Sequence, residues 1–254
     1  MITEPGAVGE AADPYCLRPG ESARLLAGHP WHRFAVIGDS IAEGVGENTA
    51  GYSPLPWADR IAAELRTQQP DLVYLNLGRR YTPVAVVRAR QLEPALEFNP
   101  DLALVACGGF DMLQPNFDPD AVERELRAIV GALRDRGVDV ITTGMFDGSL
   151  SPLVPDAIRP GFQRRLHTLS GLTGALAADL GTLHVNLTFH PASKCADIYS
   201  ADGRHGSGRG HAISSAEAIR RLGLKIAADH AGASAPHQKG ITTLSKSAPG
   251  RNES

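Results

Sequence analysis

Five short apolar runs alternate with helical stretches along this chain, and that alternation restricts the fold more than any other feature. The runs occupy residues 34–37, 72–75, 102–106, 138–142 and 183–187. Between and after them, helical spacing is read over residues 55–67, 84–96, 119–136, 160–180 and 209–228. Trp57, Ile61 and Leu65 share one helical face. Asp118 followed by Pro119 reads as an N-cap with proline at the first helical position, and Gly137 as a stop. Pro94 is expected to disturb the last turn of its helix. Apolar strands separated by helices imply a parallel sheet covered on both faces. Right-handed crossovers then make a three-layer sandwich, whose active site lies off the carboxyl ends of the strands.

The residues just after those ends are chemically distinctive. Ser40 follows the first strand in Gly38-Asp39-Ser40-Ile41-Ala42-Glu43-Gly44, a small-residue turn into a helix. Gly78 follows the second strand, Gly108, Gly109 and Asp111 the third, and His205 lies in the loop after the fifth. Separated segments thus converge on one edge of the sheet. Ser40 is the candidate nucleophile, which needs a base within hydrogen-bond reach. His205 is the candidate base, with Asp202 to hold its tautomer and stabilise the imidazolium. Blander readings stand beside these: a turn with a helix N-cap at Ser40, and a solvated loop histidine at His205. His211 is a rival base, though its place at a helix start favours a packing role. Asp39 and Asp111 are read as structural, orienting loops through backbone hydrogen bonds.

Four ordered blocks carry a family resemblance: Gly38-Asp39-Ser40 with Gly44, Asn76-Leu77-Gly78, Gly108-Gly109-Phe110-Asp111, and Asp202-Gly203-Arg204-His205. Over roughly residues 33–228 the chain resembles the SGNH hydrolase superfamily, also called GDSL-type esterases and lipases. The resemblance implies an α/β, flavodoxin-like three-layer α/β/α sandwich with a five-stranded parallel sheet. It implies hydrolysis of an ester or other acyl bond through an acyl-serine intermediate, without metal or organic cofactor. The expected substrate is a small-molecule acyl ester or thioester. By position, Ser40, His205 and Asp202 match the catalytic residues. The backbone N–H groups of Ser40 and Gly78 match oxyanion-hole donors.

Two blocks depart from the family pattern. Phe110 stands where relatives usually carry an asparagine that donates to the oxyanion, and phenylalanine has no donor. Losing one such donor typically costs about 10²–10³ in turnover. A replacement donor (Arg79, Arg80 or the Gly109 backbone), a slow enzyme acting on activated esters, or altered chemistry are the alternatives. Phe110 is equally readable as a substrate-pocket wall. Acyl transfer, or another non-hydrolytic tailoring or binding role in specialised biosynthesis, is therefore the second functional reading. Arg79 and Arg80 follow Gly78 where relatives often have small residues. Arg79 is a candidate for binding a substrate carboxylate or phosphate, against a solvated surface position. The segment at residues 147–160 is a candidate pocket wall.

Composition removes several other classes. The net charge of −3 and scattered Arg and Lys give no polyanion-binding surface, so no nucleic-acid partner is expected. Three cysteines without spacing, Cys16, Cys107 and Cys195, argue against a disulfide framework or zinc site. No window reaches the roughly 18 apolar residues of a membrane span. No signal peptide is visible, and a cytoplasmic location is expected. Residues 1–30 read as an N-terminal arm, mobile or strapped to the domain. Residues 31–230 read as the SGNH-like domain and 231–254 as a disordered C-terminal tail.

Overall fold

The computed structural model describes residues 9–233. The chain runs α1 (Glu21–Leu25), β1 (Arg33–Gly38), α2 (Ser40–Glu43), β2 (Gly46–Glu47), α3 (Trp57–Gln68), β3 (Val73–Asn76) and α4 (Val84–Glu97). It continues with β4 (Leu102–Ala106), α5 (Gly109–Leu113), α6 (Pro119–Arg134), β5 (Asp139–Gly144), α7 (Arg159–Leu180) and β6 (Leu183–Asn186). β7 (Gly206–Ser207) leads directly into α8 (Gly208–Ala233).

The five main strands are parallel and ordered β3-β1-β4-β5-β6. This is the doubly wound order in which the first crossover goes one way and the rest go the other, and the reversal lies between β1 and β4. Alternation along the strands divides the core. Phe34, Val36, Leu102, Leu104 and Ile141 pack toward α3 and α8. Ile37, Ala103, Val105 and Val140 pack toward α4, α6 and α7. Successive side chains in a strand point to opposite faces, so two cores grow from one sheet. Central β4 is buried throughout, whereas edge strands β3 and β6 are only partly covered.

The Asp118 side chain accepts from Ala121 N at 3.0 Å and caps α6, while Gly137 takes φ 78° just beyond its end. Pro94 lies inside α4, which runs on to Glu97. The missing N–H forfeits one intrahelical bond, and only the last residues of the helix follow the proline to be deflected. α8 extends beyond the periodic pattern to Ala233, so the expected tail overlaps its last residues; positions 234–254 lie outside the described residues.

Residues 9–30 lie against α3 and α8. Cys16 and Leu26 are buried, and three ion pairs fasten the segment: Glu10–Arg60 at 2.6 Å, Asp13–Arg209 at 2.6 Å and Glu21–Arg220 at 2.9 Å. Among the described residues, no helix is long and apolar enough to cross a membrane.

Candidate active site

Ser40 owes its position to two neighbours in sequence. Gly38 closes β1 at φ 147°, and a Cβ there would lie 1.9 Å from the Ala106 carbonyl oxygen. Only glycine lets β1 turn so tightly against β4. Asp39 caps α2 by accepting from Ile41 N at 3.0 Å. Its other oxygen accepts from Phe110 N at 3.2 Å, which joins the turn after β1 to the turn after β4. Asp39 is fully buried, and that burial pushes its carboxyl up to about 6 against the opposing pull of these backbone N–H groups. The Gln91 side chain grips Gly38 from α4, accepting from its N at 2.8 Å and donating to its O at 3.0 Å.

His205 arrives from the far side of the sheet. Its Nε2 lies 3.0 Å from Ser40 Oγ, and its Nδ1 lies 2.5 Å from Asp202 Oδ2. An ionised carboxylate only accepts, so Nδ1 carries the proton and the Nε2 lone pair faces the hydroxyl. The other Asp202 oxygen accepts from Arg204 N at 2.9 Å and His205 N at 3.0 Å, with Gly203 at φ 64° completing the turn. Partial burial pushes the Asp202 carboxyl up, but those N–H groups and the ring outweigh it and hold it below the ordinary value.

A second small ribbon ties this loop to the serine turn. Gly46 and Glu47 pair in parallel with Gly206 and Ser207. Glu47 N donates to Ser200 Oγ at 3.0 Å, and Glu47 Oε2 accepts from Ala201 N at 2.9 Å. Arg209 pairs with Asp13 and, at 2.8 Å, with Asp197. The hydrogen-bond contact with Ser40 Oγ belongs to His205 and not to His211. The His211 Nδ1 accepts from Trp57 N at 3.4 Å, and burial pulls the ring down to about 4, so it stays neutral.

Ser40, His205 and Asp202 are thus brought together, and two other sequence candidates are not. Gly78 does not line the cavity beside Ser40, and its N–H donates to Asn76 Oδ1 at 2.8 Å. A Cβ at Gly78 would lie 2.3 Å from Glu43 N, so glycine serves close packing on α2. Arg79 is exposed, lies outside the cavity and donates its backbone N to Gly38 O at 3.1 Å. Arg80 pairs with Glu43 at 2.9 Å on the surface. Phe110 does line the cavity, with Tyr81 against it edge-on at 6.3 Å. Tyr81 holds φ 59°, an unusual conformation for a bulky residue. The wall expected from residues 147–160 supplies Gly148, with Phe162 just beyond it.

Sequence reasoning missed Gln91, Glu47, Tyr81 and the Asp13–Arg209 pair. Gln91 left one trace: it falls on the apolar spacing of Val84, Val87 and Ala95, where a polar residue needs partners. The others depend on long-range contacts with no local signature.

A serine at the reversal point of a parallel sheet, with a histidine at hydrogen-bond distance, narrows the class to serine acyl hydrolases. Residues 36–213 match the GDSL-like lipase/acylhydrolase family, and the chain belongs to it. It is an SGNH-type serine esterase. Among solved structures it is similar to Axe2, an acetyl-xylooligosaccharide esterase from Geobacillus stearothermophilus. That match has TM-score 0.62 and 19% identity, covering 78% of this chain and 95% of the other. TesA is similar at TM-score 0.60 and 22% identity, with 75% and 97% covered. LAE5, an α/β hydrolase from the metagenome of Lake Arreo, Spain, is similar at TM-score 0.60 and 19% identity, with 78% and 96% covered. Curated proteins give no match.

Proposed function

We propose that the chain hydrolyses a small-molecule ester or thioester through an acyl-Ser40 intermediate. The observation carrying this reading is the continuous contact from Ser40 Oγ through the His205 ring to Asp202. Ser40 Oγ attacks the acyl carbon as its proton passes to His205 Nε2. The new C–O bond forms and the carbonyl π pair moves to oxygen. The tetrahedral species then expels the alcohol or thiol, which takes the proton from His205. Water, deprotonated by the same nitrogen, attacks the acyl carbon; the Ser40 Oγ–acyl bond then breaks, Oγ takes the proton back from His205, and the acid leaves. Asp202 stabilises the imidazolium without accepting its proton.

The negative oxygen is received by backbone donors. Ser40 N, at the first helical position, has no intrahelical acceptor. In the loop after β3, the N–H groups of Leu77, Gly78, Arg79 and Arg80 are each committed elsewhere. Tyr81 N is the first one uncommitted, on a residue that lines the cavity. The second donor is therefore assigned to Tyr81 in place of Gly78, and its left-handed backbone is what aims it. Phe110 supplies wall rather than charge stabilisation.

The test is ester turnover by Ser40→Ala and Asp202→Asn. Ser40→Ala should lose roughly 10⁴–10⁶ in kcat and Asp202→Asn about 10⁴, both without loss of fold. Hydrolysis surviving in Ser40→Ala would refute the mechanism.

A further inference from the structure

The cavity opening beside Ser40 encloses about 330 Å³. That is roughly twice the ~150 Å³ apolar space that accepts benzene. An acetyl group would leave most of it empty. Away from the reacting groups, its walls are built from Phe110, Met112, Leu113, Met145, Phe162 and Leu166. The two methionines are flexible, polarizable fillers suited to a chain of variable shape.

Several polar side chains in this lining already donate to backbone carbonyls. Thr143 Oγ1 donates to Val185 O at 3.2 Å, and Gln114 Nε2 to Phe110 O at 3.1 Å. Ser214 Oγ donates to Gly210 O at 2.9 Å, and Tyr199 OH to Ser193 O at 2.9 Å. His211 Nε2 has no partner, but the atom is sealed from solvent. Arg204 is exposed, on the loop that carries His205. Against the stretch built from Phe110, Met112, Leu113, Met145, Phe162 and Leu166, a sugar ring or a charged acyl group would lose its water without regaining hydrogen bonds, at substantial cost. A hydrocarbon chain loses nothing of that kind.

We infer that the acyl half of the substrate is an apolar chain of medium length, about the size of octanoyl, housed between α5 and α7. The inference rests on the reading of Ser40 as the nucleophile, since it names the group Ser40 would carry. Each buried methylene should then tighten binding by about fourfold at most. Leu113 lines the cavity and is 44% exposed, so Leu113→Asp can place a charge there with little burden on folding.

The experiment is calorimetric binding of the methyl esters of acetic, butyric, hexanoic and octanoic acids to Ser40→Ala protein, with and without Leu113→Asp. Affinity rising steadily to the octanoyl ester, and falling about tenfold with Leu113→Asp, supports the inference. Affinity independent of length, or highest for acetyl, overturns it. Wild-type turnover of the same esters separates the two claims. Ser40-dependent hydrolysis with no length preference leaves the mechanism standing and removes the acyl assignment. A length-dependent affinity without hydrolysis does the reverse.

Discussion

At the scale of single residues, two buried groups beside the site work against each other as pH changes. Asp39 is raised to about 6 by burial, from an ordinary 3.8. Its folded form takes up a proton first, so its contribution is fully present below 3.8 and lost as pH rises to about 6. His211 is lowered to about 4 by burial, from 6.5, so its contribution is present above 6.5 and lost as pH falls to about 4. These two contributions therefore largely cancel each other between about pH 4 and 6. Urea unfolding of Asp39→Asn should expose a stability that falls with acid. His211→Gln should expose the opposite slope, of up to about 3 kcal/mol. Parallel profiles for the two variants would contradict the assignment. Phe110→Asn belongs to the same scale. It returns a side-chain donor to the cavity and should raise kcat, with the 10²–10³ of a missing oxyanion donor as its ceiling. Unchanged turnover in steady-state assays would mean that backbone donors already saturate the site.

At the scale of elements, the loop that carries His205 is held by parts of the chain far from it in sequence. Arg209 opens α8 four residues after His205 and pairs with Asp13 in the segment before α1. Burial pushes the Asp13 carboxyl up, but Arg209, the Tyr15 amide and the Tyr52 hydroxyl hold it below its usual value. Removing one partner of a buried pair costs about 3–5 kcal/mol, and here Asp197 retains part of the Arg209 charge. Asp13→Ala should therefore cost about 3 kcal/mol in chemical denaturation. It should lower kcat more than it raises KM, because it loosens His205 rather than the cavity. Elements were legible where local signals act alone: β4 and the capped start of α6 follow from apolar runs, Asp118 and proline. The path of residues 9–30 was not, because its ion pairs join residues up to about 200 positions apart.

At the scale of the whole molecule, the doubly wound sheet and the small ribbon explain why four short blocks converge. The first three blocks follow the ends of β1, β3 and β4, and the β2–β7 ribbon brings the loop after β6, with His205, to the same edge. The convergence was readable from alternation and motif order. Which N–H points into the cavity was not. The loop after β3 packs on α2 through Gly78, and its backbone N–H groups are committed up to Arg80, which is why the proposed second donor falls at Tyr81. Arg79 illustrates the same limit, since nothing local shows that its backbone serves Gly38 while its side chain stays outside. The central claim is that His205 and Asp202 make Ser40 nucleophilic despite phenylalanine at position 110. Intact-protein mass after incubation with a fluorophosphonate tests it most directly, on wild type, Ser40→Ala and His205→Ala in parallel. The account predicts one adduct on wild type, none on Ser40→Ala and slow labelling of His205→Ala. A well-folded wild type that takes up no adduct, or a Ser40→Ala protein that labels equally well, would contradict it.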